Sequence, residues 1–374
     1  MPLLTRNAPE GYSLKESRLF GNGRGVTAEF GSYPCPRCQD PCEEFARDRK
    51  PFAFDKRCRL GAFRSSRYLT VPLAQTNPIT ETTIELPALD GYSLGATLYA
   101  PSGHGPFSRV ALISSGYGIP AALYARFARF LATEGVPALT YDYRGIGGSR
   151  PPDLRCFEAV AEDWSEFDCG GAIAFLRSSY PYAELVGIAH SFGTLLIAGA
   201  PNIADISRFL FVCAHTGYFR DYLPKYRFPM AVFWHFIMPA ITRSLGYFPG
   251  RLLHLGEDLP AGVALQWAAR RRPDLQPEAT ATDVRRARSM IARYEKVTGV
   301  ALAIGFTDDA FATEAGTRRL LSAFPALRAE SLRIAPCDVG MTTIGHFGFF
   351  RRSAERALWP IALRFLRGES GPAR

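Results

Sequence analysis

Gly187-Ile-Ala-His-Ser-Phe-Gly193 is the stretch on which the reading turns. An apolar run from Leu185 to Ala189 leads straight into Ser191, and apolar residues at helical spacing follow from Leu195. A strand followed at once by a helix leaves room for only a sharp turn, with the serine at its tip. That turn lifts the hydroxyl above the sheet. It also explains the small residues two positions before the serine (Ala189) and two after it (Gly193), where bulk would collide across the turn. The helix that follows directs its unpaired N–H groups toward negative charge developing beside the serine. Small-x-Ser-x-Gly strings are common by chance, so the weight of this one rests on its surroundings.

Outward from the turn, the chain alternates strand and helix. Strands are expected over 110–114, 136–141, 185–189, 208–214, 300–306 and 331–335, and helices over 122–133, 164–178, 314–324 and 354–366. The strands are short unbroken apolar runs, as in parallel sheets buried on both faces. Ahead of them, 82–86 and 92–99 flank Asp90-Gly91 and read as a hairpin. This rhythm implies βαβ units with helices on both faces of a mostly parallel sheet. It divides the chain into an extension over 1–79, a core over 80–215 and 297–370, and an aromatic-rich insertion over 216–296.

A serine nucleophile needs a base, and the chain has six histidines. His104 precedes the first core strand, His190 is inside the turn and expected to point away from the hydroxyl, and His215, His235 and His254 lie at or within the insertion. His346, in a glycine-flanked loop between the last strand and the last helix, can reach the carboxyl edge of the sheet. The acid that orients it is expected after the strand ending near Thr307. Asp309 is favoured over Asp308, because Phe311 and Thr313 then fall in a D-x-apolar-x-(P/T) pattern. Such a carboxylate holds the imidazole in the required tautomer and stabilises the imidazolium. For the oxyanion, the expected donors are the N–H of Phe192 and, from the loop Ser114-Ser-Gly-Tyr-Gly118, that of Tyr117.

Other features narrow the class. The net charge of +9 includes two arginine blocks, Arg270–Arg272 and Arg285–Arg288. They read as solvated helix faces, since no nucleic-acid motif accompanies them. The longest apolar run, 228–241, is too short to span a bilayer and holds two prolines and a histidine. No secretory pattern opens the chain, so a cytoplasmic protein with reduced thiols is expected. Of the eight cysteines, Cys35, Cys38, Cys42 and Cys58 cluster. They could hold a structural zinc, although the second close pair typical of such sites is missing. The alternative is a flexible extension with free thiols, or a start of translation near residue 80.

Ser191, Asp309 and His346, in that chain order, resemble the α/β-hydrolase superfamily. Tyr141-Asp-Tyr-Arg-Gly-Ile-Gly-Gly-Ser149 looks like the D-x-R-G-x-G-x-S loop of many members. With the closing Gly345-His-Phe-Gly-Phe-Phe-Arg351, it is similar to bacterial predicted hydrolases of the serine aminopeptidase and monoglyceride lipase group. The resemblance covers about residues 80–367 and departs from the usual pattern in Ala189 for glycine and Ser115 for histidine. It implies an α/β-hydrolase fold with a helical lid at 216–296, whose aromatics line an acyl pocket or form the lid's own core. It also implies a serine hydrolase that needs neither metal nor organic cofactor and acts on a small ester or acyl substrate. An acyltransferase and a non-catalytic binding protein on the same fold remain open alternatives.

Overall fold

Successive residues of the central strands enter different cores. Val110 and Leu112 pack into one apolar cluster, and Ala111 and Ile113 into another. Leu185 and Ala189 oppose Val186 and Ile188, and Phe209 and Phe211 oppose Leu210 and Val212, in the same way. Because side chains alternate along a strand, such a sheet is covered on both faces, which is why its sequence reads as continuous apolar runs.

The computed structural model describes residues 78–103, 105–272, 275 and 284–369. The cysteines at 35, 38, 42 and 58, His104 and all but the last two residues of the expected extension lie outside them. In chain order come β1 (Ile79–Pro87), β2 (Ser93–Pro101), β3 (Arg109–Ser114), α1 (Ala125–Thr133), β4 (Ala138–Tyr141), α2 (Ala161–Asp163), α3 (Gly170–Ser179), β5 (Glu184–His190), α4 (Gly193–Ala198) and β6 (Ile206–Val212). After β6 follow α5 (Pro224–Val232), α6 (Met238–Leu245), β7 (Tyr247–Phe248), β8 (Leu259–Pro260), α7 (Ala261–Ala269) and α8 (Val284–Tyr294). The chain closes with β9 (Gly299–Phe306), α9 (Glu314–Leu321), β10 (Leu327–Ile334) and α10 (Trp359–Leu366).

The main sheet has eight strands in the order β1-β2-β4-β3-β5-β6-β9-β10. Only the β1–β2 and β2–β4 pairings are antiparallel; the rest are parallel. Helices α1 and α10 cover one face through Phe127, Leu131, Trp359 and Leu363. Helices α3, α4 and α8 cover the other through Ile173, Leu195 and Met290. The chain leaves β3 toward β4 on one side and returns to β5 on the other. A crevice therefore opens beyond the carboxyl ends of β3 and β5, where open α/β sheets place their ligands.

The expected mostly parallel sheet between two helical layers is therefore present. Some boundaries differ for local reasons. The helix expected over 354–366 begins at Trp359, because Pro360 is compatible only with a helix's first turn. The helix expected from Trp164 starts at Ala161 and is π-helical over Trp164–Cys169 before α3. The expected strand over 208–214 ends at Val212, since Cys213 has a left-handed backbone. In the arginine blocks, Arg285 and Arg288 are exposed on α8 as expected, whereas Arg271 and Arg272 are exposed beyond the end of α7 and not on a helix face. Arg270 instead lies over the Phe192 ring, and Arg286 pairs with Asp163 and Glu166. Among the described residues, no helix is long and apolar enough to cross a membrane.

Candidate active site

Ser191 sits between β5 and α4 with φ of 55°, a left-handed conformation that costs a residue with a Cβ free energy. Its N–H donates to Val212 O (2.8 Å), which ties the turn to the end of β6. The requirement for glycine at 193 differs from the expected collision across the turn. A Cβ there would press on the carbonyl oxygen of Ser115 and come within 2.9 Å of that of Ser114. The elbow and the loop after β3 are thus packed backbone on backbone.

Three side chains converge as an unbroken hydrogen-bonded line. Ser191 Oγ lies 3.0 Å from His346 Nε2, and His346 Nδ1 lies 2.8 Å from Asp309 Oδ2. Asp309 is fully buried, and its other oxygen accepts the N–H groups of Phe311 (2.8 Å) and Ala312 (3.0 Å). Burial opposes its charge, but the adjacent His346 and these hydrogen bonds outweigh that and hold the carboxyl well below the usual range. Asp308 does something else. Its Oδ2 accepts the N–H groups of Ile344 (2.8 Å) and Gly345 (3.0 Å), anchoring the loop that carries His346. A carboxylate is ionised at neutral pH and can only accept, so His346 carries its proton on Nδ1 and presents a bare Nε2 to the serine.

Two further histidines, His190 and His215, belong to this site. His190 gives neither ring nitrogen to the hydroxyl, yet it joins the site's parts. Its Nε2 lies 3.0 Å from His346 O and its Nδ1 2.9 Å from Tyr124 Oη, which accepts the Gly116 N–H at 2.8 Å. A carbonyl only accepts, so the proton is on Nε2 and Tyr124 donates to Nδ1. One relay thus links the loop after β3 to the backbone of His346. Burial, reinforced by the nearby His346, lowers the His190 pKa to about 3 and keeps the ring neutral. His215, just past β6, is also buried, and its Nε2 lies 3.1 Å from Ser191 Oγ. No local motif marks either role; the only cue in the sequence is a histidine next to the end of a core strand.

The loop carrying Tyr117 is held from several sides. Tyr143 Oη bonds Ser114 Oγ (2.7 Å) and Ser115 O (3.3 Å), and the Tyr117 hydroxyl donates to Val263 O. The Tyr117 ring packs against Phe192, Trp164 and Trp267. Among the described residues, the N–H groups of Phe192 and Tyr117 have no hydrogen-bond acceptor. The glycine-rich loop 142–149 is structural. Asp142 accepts the Ala121 and Gly148 N–H groups, and Arg144 bridges Asp90 and the buried Asp168.

Ser191 is only 7% exposed, so access is narrow. A cavity of about 520 Å³ is lined by Tyr117, Phe192, Thr216, Trp267, Arg270 and Met290 among others; none of Ser191, Asp309 and His346 lines it. His190, Cys213 and His346 bring ligand-type atoms within 4.8 Å of one another. Both nitrogens of each imidazole are already hydrogen-bonded, so the set does not form an open metal site.

A sequence model of the alpha/beta hydrolase family matches residues 100–357. No curated protein matches the chain. Among solved structures, an esterase of Pyrococcus furiosus is similar with a TM-score of 0.50 at 13% identity, over 78% of this chain and 92% of its own. The enol-lactonase of Burkholderia xenovorans has a TM-score of 0.46 at 17% identity, over 76% of this chain and all (100%) of its own. A thermophilic esterase of Thermogutta terrifontis has a TM-score of 0.48 at 13% identity, over 77% and 98%. At such identities the likeness concerns the fold alone.

Proposed function

The chain belongs to the alpha/beta hydrolase family, and from that premise we propose that it is a serine hydrolase cleaving an ester bond, less readily an amide, through an acyl-enzyme. What carries the reading is the line from Asp309 through His346 to Ser191, with separations of 2.8 and 3.0 Å and a tautomer that leaves the base nitrogen facing the hydroxyl.

The steps use this chain's own groups. Ser191 Oγ attacks the carbonyl carbon as its proton passes to His346 Nε2, and Asp309 stabilises the imidazolium. The N–H groups of Phe192 and Tyr117 receive the oxyanion, each contributing about 3 kcal/mol in the transition state. The carbonyl re-forms, the bond to the alcohol oxygen breaks, and His346 gives that oxygen its proton. Water then surrenders a proton to His346 and attacks the acyl carbon; the carbon–Oγ bond breaks, and Oγ recovers the proton.

In this reading 80–215 and 297–370 form the catalytic core and 216–296 the lid. The cavity beside Phe192 and Trp267, whose lining mixes apolar side chains with Glu162, Gln266, Arg243 and Arg270, takes part of the substrate. Within the family, the 141–149 loop and the 345–351 segment ally the chain with the serine aminopeptidase and monoglyceride lipase group. The test is hydrolysis of p-nitrophenyl esters of graded acyl length, with fluorophosphonate labelling. The unaltered protein should label and turn over, and Ser191→Ala should do neither. Full activity in Ser191→Ala removes the serine from the mechanism.

A further inference from the structure

Two imidazoles reach the same serine oxygen, and their remaining hydrogen bonds assign them opposite duties. On His346 the proton is on Nδ1, because Asp309 accepts it. On His215 the partner of Nδ1 is the N–H of Gly217, 3.0 Å away. A backbone N–H can only donate, so that Nδ1 is bare, and a neutral ring must carry its proton on Nε2. The ring is neutral: it is buried, and burial, with the nearby His346 adding to it, lowers its pKa to about 3. His215 Nε2–H therefore donates to Ser191 Oγ across 3.1 Å, and the serine's own hydrogen is left for the bare Nε2 of His346. His215 cannot be the base in this state, although it is nearly as close as His346.

We propose that His215 is a second catalytic histidine, a fixed hydrogen-bond donor that aims the Ser191 hydroxyl at His346 and supports Oγ when it leaves the acyl group. The proposal rests on the serine-hydrolase reading. With one lone pair of Oγ occupied by His215 and the hydrogen directed to His346, the other lone pair faces the substrate. When the acyl-enzyme breaks down, the carbon–Oγ bond cleaves and its electron pair goes to Oγ. His346 supplies the proton, while the His215 Nε2–H bond to Oγ persists and stabilises the developing charge. His215 transfers no proton and ends each cycle as it began. Its support applies wherever Oγ carries negative charge, as the attacking atom in acylation and as the leaving atom in deacylation, so its loss slows both steps.

Two substitutions separate this role from packing. His215→Gln places an amide N–H near the former Nε2, whereas His215→Leu fills the space without a donor. Pre-steady-state hydrolysis of a p-nitrophenyl ester should show His215→Leu slowed roughly ten- to hundredfold in kcat, the range for losing one hydrogen-bond donor at a reacting oxygen. His215→Gln should recover most of the rate. Equal rates in His215→Leu and the unaltered enzyme, or no recovery by glutamine in a folded protein, overturn the proposal. Nitrogen-15 NMR of the histidine-labelled, unaltered protein at neutral pH tests it without turnover: His215 should read as the Nε2–H tautomer and His346 as Nδ1–H. An Nδ1–H signal for His215 overturns the assignment even if Ser191 labels with fluorophosphonate. Failure of labelling with the expected tautomers intact overturns the hydrolase reading and, with it, the catalytic role, leaving only the hydrogen bond.

Discussion

Replacing Asp309 by asparagine should nearly silence the enzyme while leaving it folded, and the structure says why. Asp309 Oδ1 accepts two backbone N–H groups, at 2.8 and 3.0 Å, in a fully buried position. An asparagine that turned its amide NH₂ toward them would leave two buried donors facing a donor, at about 1–3 kcal/mol each. The amide oxygen therefore stays with Phe311 and Ala312, and the NH₂ faces His346 Nδ1. His346 must then present a bare Nδ1 and move its proton to Nε2. Ser191 Oγ now meets donors from both His346 and His215, and its own hydrogen has no acceptor. By analogy with other triads locked in the wrong tautomer, the loss should be roughly ten-thousandfold in kcat/KM, or about 5.5 kcal/mol. The assay is hydrolysis of the best p-nitrophenyl ester, with circular dichroism and thermal melting as folding controls. Asp308→Asn is the comparison. Its amide oxygen can still accept from Ile344 and Gly345, so its loss should stay within about tenfold, that of a weakened loop anchor. An Asp309→Asn enzyme within tenfold of the unaltered one, or an Asp308→Asn enzyme that is worse, refutes the reasoning.

Gly193→Ala should destabilise the protein by about 3 kcal/mol, because its Cβ meets the Ser114 and Ser115 carbonyls, which are backbone and yield little; thermal melting and ester hydrolysis should fall together. Tyr124→Phe strips the Gly116 N–H and His190 Nδ1 of their shared partner; chemical denaturation should show a loss of about 2 kcal/mol, and kcat should fall as the loop after β3 loosens. His190 has a folded-state pKa of about 3 against an ordinary 6.5, so below pH 6.5 the unfolded chain binds a proton that the folded protein refuses. Stability then falls as pH drops through that window, by about 2 kcal/mol at pH 5 from this residue alone. Denaturant unfolding at pH 7 and pH 5 should show the drop reduced by that amount in His190→Gln; an unchanged pH dependence would mean that the ring is not held neutral by the fold.

The fold was legible because its signals are local. Val110–Ser114 and Leu185–Ala189 are apolar on consecutive residues, and a sheet covered on both faces needs that pattern. Helix ends were less legible. Apolar periodicity runs on through 354–358, but Pro360 is tolerated only in a helix's first turn, so α10 starts at Trp359. At the site, Ser191 could be singled out because a strand–turn–helix is one continuous segment. His190 and His215 could not, because their partners come from other segments: Tyr124 and the His346 backbone for one, Ser191 and Gly217 for the other.

By itself, then, the order of residues determined the alternating sheet and helices, the sharp turn that carries a serine at its tip, and the histidine and carboxylates on later loops, all of which follow from periodicity and the stereochemistry of short turns. Only the tertiary structure decided which of two adjacent aspartates faces an imidazole and which binds a loop, and which of two imidazoles has its Nδ1 facing a carboxylate and which has it facing a backbone N–H. Those choices depend on backbone N–H groups, of Phe311 and Ala312, Ile344 and Gly345, and Gly217, whose directions exist only when the loops are folded against one another.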